Sequence, residues 1–280
     1  MDKLLLVDGH CLLFQMFYGM PARIAGKDGK PIQGTLGFVG AMRKIIAMTQ
    51  PSHVAVIFDG EAYNPRTELD AAYKANREDF SEAADTENPF SQLPDVYRAL
   101  DYMGIAHTET TDCETDDVLA AYAIKYGRDF EIVICSQDSD FFQLISDTVC
   151  VLRYHGDHSV ICDEKYLQDK FGISSAQYAD FKSLTGDGSD NIQGISGIGP
   201  KTAAALIGQF GTLENLLQNT EQIAKPKIRQ AILQNTDRLM LNQKLITLDG
   251  KASVPFLPEQ MRYDGQPFTT NQVLLGINIK

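Results

Sequence analysis

Short runs of apolar and β-branched residues alternate with helical patterns over roughly the first 165 residues of the chain. The runs predict strands at Lys3–Val7, His53–Phe58, Ile105–Thr108, Glu131–Cys135 and Thr148–Leu152. Strands that alternate with helices are typical of a parallel sheet flanked by helices. We therefore predict an α/β fold for this half, built on a mainly parallel sheet.

The strand pattern fades after about residue 165, and short helical patterns replace it. They predict helices at Glu164–Phe171, Ser175–Leu184, Lys201–Phe210 and Arg229–Ile246. Residues 1–165 are thus predicted to form an α/β domain, and residues 166–280 a helical domain. Within the first half, residues 78–89 are acidic and poor in apolar side chains, so we expect a mobile excursion between helices there.

Composition limits the classes of protein to consider. The 280 residues contain no apolar stretch long enough to cross a membrane, and the five cysteines lack the spacing of a zinc site. We expect a soluble, cytoplasmic monomer with reduced thiols and no membrane association. The net charge of −12 argues against a polyanionic partner, unless bound cations neutralise a concentrated group of acids.

Acidic residues stand where three predicted strands end. Asp8 follows Val7, Asp59 follows Phe58, and the pair Asp138 and Asp140 comes shortly after the fourth strand. Ligands of open parallel sheets bind at the carboxyl ends of the strands, which meet at one edge. We therefore expect these carboxylates to converge.

Five further acids extend this set. Glu114, Asp116 and Asp117 open a predicted helix, with Glu114 and Asp117 on one face. Asp187 and Asp190 are three residues apart, and we expect them on one helical turn. We expect Asp138 and Asp140 on an extended segment, where side chains two residues apart point to the same side. Taken singly, each acid has an ordinary explanation as a helix cap, a turn residue or solvated surface.

Nine carboxylates in one place need cations. Two of them about 4 Å apart repel by about 4 kcal/mol at an effective dielectric constant of about 20. Hard oxygen ligands favour Mg²⁺ or Mn²⁺, and two such ions can activate water and stabilise a leaving oxygen. The acids therefore indicate phosphodiester hydrolysis.

A glycine-rich segment at residues 194–203 suggests a second contact with phosphate. Glycines permit close backbone approach, Pro200 fits the first turn of a helix, and a helix start offers N–H groups to an anion. A tight turn without a ligand stays an open alternative.

Six ordered motifs together resemble the 5′-nuclease family, which includes the N-terminal 5′-3′ exonuclease domain of bacterial DNA polymerase I and its stand-alone homologues. They are Leu6-Val7-Asp8-Gly9, Val56-Ile57-Phe58-Asp59, Tyr73-Lys74-Ala75-Asn76-Arg77, Glu114-Thr115-Asp116-Asp117, Asp138-Ser139-Asp140 and Thr185-Gly186-Asp187-Gly188-Ser189-Asp190-Asn191. The resemblance covers roughly residues 3–250. It implies a resolvase-like or PIN-like sheet with a helical arch at about 66–95 and a helix-hairpin-helix variant at about 185–210.

The resemblance also implies roles for individual residues. The implied ligands of two or more Mg²⁺ or Mn²⁺ ions are Asp8, Asp59, Glu114, Asp116, Asp117, Asp138, Asp140, Asp187 and Asp190. Tyr73, Lys74 and Arg77 are implied at the arch base, with Lys74 and Arg77 on one helical face toward the scissile phosphate. The implied duplex contacts are Gly194, Gly197, Gly199, Lys201 and Thr202, where the hairpin can also hold K⁺.

The implied function is a structure-specific 5′ nuclease of DNA replication and repair, including primer removal and flap processing. It would cut DNA at nicks, 5′ ends and 5′ flaps by a two-metal-ion mechanism, leaving 5′-phosphate and 3′-hydroxyl products. The alternatives are a structure-specific DNA-binding protein with weak or vestigial nuclease activity, and a metal-dependent ribonuclease of similar topology. The sequence leaves open whether the chain stands alone or begins a polymerase.

Three departures from the family pattern bear on activity rather than on the fold. Gln15 stands where relatives usually carry arginine, and Ser139 stands where they commonly carry lysine. The expected arch is acidic where a strand-threading element would be basic. We expect these changes to affect catalytic rate and flap affinity.

Overall fold

A six-stranded sheet forms the centre of the computed structural model, which describes residues 1–60 and 65–280. Its strands are β1 (Asp2–Asp8), β2 (His53–Phe58), β3 (Ala106–Glu109), β4 (Phe130–Cys135), β5 (Val149–Arg153) and β6 (Val160–Cys162). They lie in the order β3-β2-β1-β4-β5-β6, and all neighbours are parallel except β5 and β6. The five predicted strands are confirmed; the short antiparallel strand β6 was not predicted.

Helices cover the sheet and form most of the second half. They are α1 (Gly9–Gly19), α2 (Gln33–Thr49), α3 (Pro65–Leu69), α4 (Leu93–Tyr102), α5 (Thr115–Tyr126), α6 (Glu164–Phe171), α7 (Tyr178–Thr185), α8 (Pro200–Phe210), α9 (Leu213–Gln218), α10 (Pro226–Gln234), α11 (Thr236–Ile246) and α12 (Thr270–Gly276). A small hairpin of β7 (Gly186–Asp187) and β8 (Ile192–Gln193) joins α7 to α8. Across the described ranges, no helix is both long and apolar enough to span a membrane.

The central strand shows why the sequence forms a covered parallel sheet. Leu4, Leu5, Leu6 and Val7 are all fully buried. Their side chains alternate between two cores, with Leu4 and Leu6 on the α5 side and Leu5 and Val7 on the α1 and α2 side. A continuous apolar run is typical of strands buried on both faces.

The core on the α5 side continues into the second half of the chain. It joins sheet residues such as Leu6 to Phe142, Phe181, Ile207 and Leu239. The predicted helix over residues 229–246 is wrong as one element, because α10 and α11 are separate helices that meet at Asn235.

The last helix returns to the first half. Residues of α12 pack against α2 and α4, and Val273 and Leu274 are fully buried in the core on the α1 and α2 side. The predicted domain boundary near residue 165 stays a prediction. It did not foresee that α12, at the end of the chain, packs against helices of the first half.

Turns occupy the segment expected to carry a helical arch. Residues 70–88 are turns and bends between α3 and a 3-10 turn at Pro89–Gln92, and Lys74 has a left-handed φ of 56°. The expectation that Lys74 and Arg77 share a helical face is therefore wrong. Short helices with few apolar side chains gain too little from packing to offset the cost of nucleation.

The buried attachment of α12 predicts a loss of stability when its inward side chain is truncated. Leu274→Ala should lower the free energy of unfolding by about 2–5 kcal/mol, because it removes buried methyl groups and leaves a cavity. The neighbouring Leu275 is 55% exposed, so Leu275→Ala should change it by less than about 0.5 kcal/mol. Urea unfolding followed by circular dichroism measures both; equal costs would contradict the packing of α12.

Candidate active site

The site begins where the order of strands reverses. β1 pairs with β2 on one side and β4 on the other, and this reversal opens a crevice at the carboxyl ends of the strands. Asp8 ends β1 and caps α1: its Oδ1 accepts from the Cys11 N–H at 3.0 Å, and its Oδ2 from the Ser136 hydroxyl at 2.8 Å. Both donors are neutral, so the charge of Asp8 stays uncompensated by them.

Three carboxylates gather around Asp8. We call the four together the first carboxylate group: Asp8, Asp59, Asp116 and Asp138. Burial, together with Asp59 and Asp138, raises the pKa of Asp8 to about 6. Burial and Asp138, Asp8 and Asp59 raise the pKa of Asp116 well above its ordinary value, against the opposing effect of Lys74. The structure thus brings together acids from four separate segments of the chain.

Three further carboxylates adjoin Asp138, and we call them the second carboxylate group: Asp140, Asp187 and Asp190. Burial and Asp138 raise the pKa of Asp140 to about 7, with contributions from Asp187 and Asp190. Burial also raises the pKa of Asp190, while Lys74 and Arg77 oppose the shift. Burial acts in the same sense on Asp187, but Lys182 outweighs it, so the pKa of Asp187 lies below its ordinary value.

The local geometry that joins these acids differs from the predicted one. Asp138 and Asp140 lie on a turn, where the Asp140 N–H donates to Asp138 Oδ1 at 2.8 Å, so the expected extended segment is wrong. Asp187 ends β7 and Asp190 lies in the turn of the β7–β8 hairpin, so the expected helical turn is wrong. In that hairpin, the Ser189 N–H donates to Asp187 Oδ1 at 2.8 Å.

Tyr73, Lys74 and Arg77 meet the acids through the turn that replaces the expected helix. The Tyr73 hydroxyl lies 3.1 Å from Glu114 Oε2 and 3.3 Å from Asp190 Oδ2. The Lys74 ammonium donates to Glu114, and Arg77 Nη2 lies 3.4 Å from Asp190 Oδ1. The left-handed backbone of Lys74 also lets its N–H donate to the Asp190 carbonyl at 3.0 Å.

Arg66 is a buried residue that the sequence did not single out. Its guanidinium bonds both oxygens of Asp117 at 2.7 Å and Glu114 Oε2 at 2.7 Å. Asp117 Oδ1 also accepts from the Asp249 N–H at 2.7 Å. Asp117 is therefore occupied by protein donors, and its role as a metal ligand stays a prediction.

Lys182 is a second cation that the sequence did not single out. Its buried ammonium bonds Asp187, lies 3.3 Å from Asp140 Oδ1, and donates to the Ser139 hydroxyl at 3.3 Å. The sequence could have indicated this residue, because Lys182 stands on a predicted helix close to the apolar residues Phe181 and Leu184.

The donor set fits a hard divalent cation, although it is not arranged as a finished metal site. Within residues 1–60 and 65–280, no group of three or more His, Cys, Asp or Glu side chains is arranged to hold a metal ion. Protein cations hold several acids instead. However, Asp140 Oδ1 is buried and accepts no hydrogen bond from the described residues, and crowding disfavours ionisation of Asp8 and Asp116. A bound divalent cation relieves both conditions.

Gln15 turns away from the acids. Its amide donates to the Tyr154 carbonyl at 2.5 Å and lies 3.4 Å from His155 Nδ1. Rings of α1 also join Phe80 of the acidic segment and Phe90 of the following 3-10 turn. The resulting aromatic cluster has ring centroids 5.1–6.5 Å apart and consists of His10, Phe14, Tyr18, Phe80 and Phe90. The His10 ring also lies 3.9 Å from Asp59, so the cluster borders the first carboxylate group.

The predicted hairpin of the second half lies between α7 and α8. Gly194 approaches the Thr185 carbonyl so closely that a Cβ would lie 2.1 Å from its oxygen, and Gly197 has a φ of 84°. Gly199 directly precedes α8, whose first turn contains Pro200, Lys201 and Thr202. The close approach and the positive φ explain the glycines at 194 and 197; the DNA contacts of these residues stay predictions.

A groove of about 790 Å³ runs beside this hairpin. It is lined by Ser196, Gly197, Ile198, Lys225, Pro226, Lys227, Ile228 and Ala231. The exposed ammonium groups of Lys225 and Lys227 at the start of α10 make the groove basic, and the sequence reasoning did not single them out.

Two models of known protein families match this chain. The model of the 5′-3′ exonuclease N-terminal resolvase-like domain matches residues 3–172, and that of the 5′-3′ exonuclease C-terminal SAM fold matches residues 173–268. The chain belongs to the 5′-3′ exonuclease family. The resemblance and the fold class inferred from the sequence are thereby confirmed.

Curated relatives of this 5′-3′ exonuclease chain include DNA polymerases. It is 37% identical to the thermostable DNA polymerase I of Thermus aquaticus over 245 residues, which are 87% of this chain and 28% of that protein. It is 31% identical to DNA polymerase I of Streptococcus pneumoniae over 271 residues, which are 94% of this chain and 30% of that protein. The chain thus spans less than a third of the length of these relatives.

Solved structures share the fold of this 5′-3′ exonuclease chain. The T5 D15 protein co-crystallized with metal ions superposes with a TM-score of 0.73 at 22% identity, covering 89% of this chain and 90% of that one. The catalytic core of Rad2 in complex with DNA substrate gives 0.60 at 17% identity, covering 99% and 92%. At these identities the likeness shows the fold.

The different surroundings of two adjacent acids predict opposite effects on stability. Without metal, Asp116→Asn should raise the thermal midpoint, because it removes a charge from a crowded, desolvated group. Asp117→Asn should lower it, because it removes one of the two buried carboxylate charges, those of Asp117 and Glu114, that pair with the Arg66 guanidinium. Thermal unfolding in EDTA at pH 8 tests both, with the exposed Asp147→Asn as control. Equal shifts of the two variants would contradict the separation of these acids.

Proposed function

We propose that this chain is a structure-specific 5′ nuclease that hydrolyses DNA phosphodiesters at nicks, 5′ ends and 5′ flaps in replication and repair. The observation that carries this proposal is the meeting of the two carboxylate groups with Lys74 at the strand ends of a 5′-3′ exonuclease fold. The T5 D15 flap endonuclease in complex with DNA and metal ions superposes with a TM-score of 0.71 and supports the assignment.

Mg²⁺ or Mn²⁺ fits the hard oxygen donors of the site. We assign two or more ions to the nine predicted acids. The first and second carboxylate groups would each hold an ion, and Asp138, a member of the first group, lies next to the second. When bound, such ions supply the activation of water and the stabilisation of the leaving oxygen. The protein itself contributes the fixed position of the acids at the ends of β1 and β4.

Lys74 and Arg77 act on the phosphate in this proposal. Both now pair with Glu114 or Asp190, and Arg77 remains 55% exposed. As divalent ions neutralise the acids, these cations become free to meet the negative charge that develops on the scissile phosphate. Tyr73 holds Glu114 and Asp190 in place through its hydroxyl.

The hairpin and its basic groove bind the duplex. Gly194, Gly197, Gly199, Lys201 and Thr202 approach the backbone, and Lys225 and Lys227 extend the positive surface across the groove. Such contacts position a duplex without reading its sequence. The proposal also includes K⁺ bound by carbonyls of the hairpin. It further includes a monomeric protein that is located in the cytoplasm.

The aromatic cluster offers the 5′ strand a stacking surface. Tyr18 and Phe90 are exposed at 57% and 39%, and the cluster borders Asp59. Because every base has a π-face, stacking holds single strands without sequence preference. This contact compensates for Gln15, which is bound to the Tyr154 carbonyl and brings no cation to the strand.

Cleavage of defined substrates tests the proposed function. Labelled 5′-flap DNA, nicked duplex and single-stranded RNA are incubated with Mg²⁺ or EDTA, and the products are mapped. We expect cleavage of flap and nicked DNA in Mg²⁺ alone, with 5′-phosphate and 3′-hydroxyl ends, and a loss of about 10²-fold or more in Asp140→Asn. Flap binding without cleavage would instead support the vestigial alternative, and cleavage of RNA alone the ribonuclease.

Removal of a central ring tests the stacking surface. Phe14 contacts Tyr18, Phe80 and Phe90, so Phe14→Ala should weaken affinity for a flap with a single-stranded 5′ arm by about 1–3 kcal/mol. Affinity for a blunt duplex should not change. Fluorescence anisotropy in Ca²⁺ measures both, and Phe17→Leu, a change on the buried face of α1, is the control. An equal loss for the two DNAs would refute the role of the rings.

A further inference from the structure

Lys182 holds an unusual position for a lysine. Its side chain is 10% exposed, on a helix whose neighbouring side chains Phe181 and Leu184 belong to the core. A buried ammonium is costly unless charged partners surround it. Here the partners are Asp187, which accepts its hydrogen bond, and Asp140, whose Oδ1 lies 3.3 Å away.

These partners are oxygens that a divalent ion on the second carboxylate group requires. The ammonium contacts Asp140 and Asp187 at once, and the Ser139 hydroxyl accepts a further hydrogen bond from it at 3.3 Å. An ammonium and a divalent cation repel strongly at such separations. The ammonium and a divalent ion therefore compete for these two carboxylates.

The first carboxylate group is neutralised far less. The groups that donate hydrogen bonds to Asp8 are the neutral Cys11 N–H and the Ser136 hydroxyl. His10 Nδ1 lies 3.9 Å from Asp59, and the Lys74 ammonium is bonded to Glu114. Within the described residues, no ammonium thus pairs with Asp8 or Asp59 in the first group, whereas the Lys182 ammonium pairs with Asp140 and Asp187 in the second.

We propose that Lys182 is a resident cation that makes the binding of divalent ions sequential. This inference rests on the proposed function. A first ion binds at the first carboxylate group, where no lysine is in contact with Asp8 or Asp59 among the described residues. A second ion binds at Asp140 and Asp187 only after the ammonium leaves them. Without DNA, the protein therefore holds one divalent ion tightly and a second weakly.

Titration with Mn²⁺ alone tests the proposal without a measurement of cleavage. Electron paramagnetic resonance of free Mn²⁺ and isothermal calorimetry give the number and affinity of bound ions. The wild type should bind one ion tightly and one weakly. Lys182→Gln should tighten the weaker ion by roughly ten-fold or more, which corresponds to about 1.4 kcal/mol, and leave the tight ion nearly unchanged.

Lys165→Gln is the matched control, because it removes the same charge from a lysine that is 79% exposed and pairs with Asp169 on the surface. It should bind Mn²⁺ like the wild type. Circular dichroism checks that each variant is folded. Should Lys182→Gln not fold, Ser139→Ala removes one acceptor of the ammonium and should tighten the weaker ion by a smaller factor.

Each other outcome overturns a defined statement. Wild-type affinities in folded Lys182→Gln, or in Ser139→Ala where that variant replaces it, would refute competition by the ammonium. Loss of the second ion in Lys182→Gln would also refute it, because Lys182 would then be a positioning residue that holds the acids together. A wild-type protein that binds no Mn²⁺ would instead refute the ion site of the proposed function.

Discussion

Repulsion between carboxylates at one edge of the sheet is the constraint to which the rest of the site responds. Strand ends and connecting turns bring Asp8, Asp116, Asp138 and Asp140 into a desolvated crevice, where burial and neighbouring carboxylates raise the pKa of Asp8, Asp116 and Asp140. Unrelieved repulsion of this kind costs several kcal/mol. The fold tolerates it because cations from other segments balance part of the charge, and because the remainder is available for metal ions.

Among the described residues, three buried cations provide most of this balance, and the half-exposed Arg77 adds a contact with Asp190. Arg66 joins Glu114 and Asp117, Lys74 joins Glu114 and Asp190, and Lys182 joins Asp140 and Asp187. Arg66 also donates to the Leu245 carbonyl at 2.9 Å, so the same guanidinium connects α5 to α11. The net charge of −12 is therefore a poor guide to the surface that we propose for DNA binding, because many of the acids lie in this crevice while Lys201, Lys225 and Lys227 lie beside the hairpin.

The sequence predicted the sheet and the acids well because both depend on local patterns. Buried parallel strands are continuous apolar runs, and an acid directly after such a run lies at the strand end whatever else the chain does. The turn at Lys74 depends on a distant contact, because the Lys74 N–H donates to the Asp190 carbonyl. The β7–β8 hairpin is bonded to the same turn, since the Asn76 amide donates to the Gly188 carbonyl at 3.0 Å. The roles of Arg66 and Lys182 depend on acids that are distant in sequence. Arg66 pairs with acids 48 and 51 residues away, and Lys182 pairs with Asp140, 42 residues away. No spacing rule predicts such pairs.

One continuous unit links the proposed duplex-binding surface to the second carboxylate group. α7 carries Lys182, its carboxyl end enters the β7–β8 hairpin that carries Asp187 and Asp190, and the hairpin leads into Gly197 and α8. The Ile195 N–H donates to the Leu184 carbonyl at 2.9 Å, and Asn242 bonds the carbonyls of Ser183 and Gln193, so this unit is held as one piece. The residues proposed to contact the duplex and the ion pairs of Lys182 therefore belong to one short stretch of chain that these hydrogen bonds hold together.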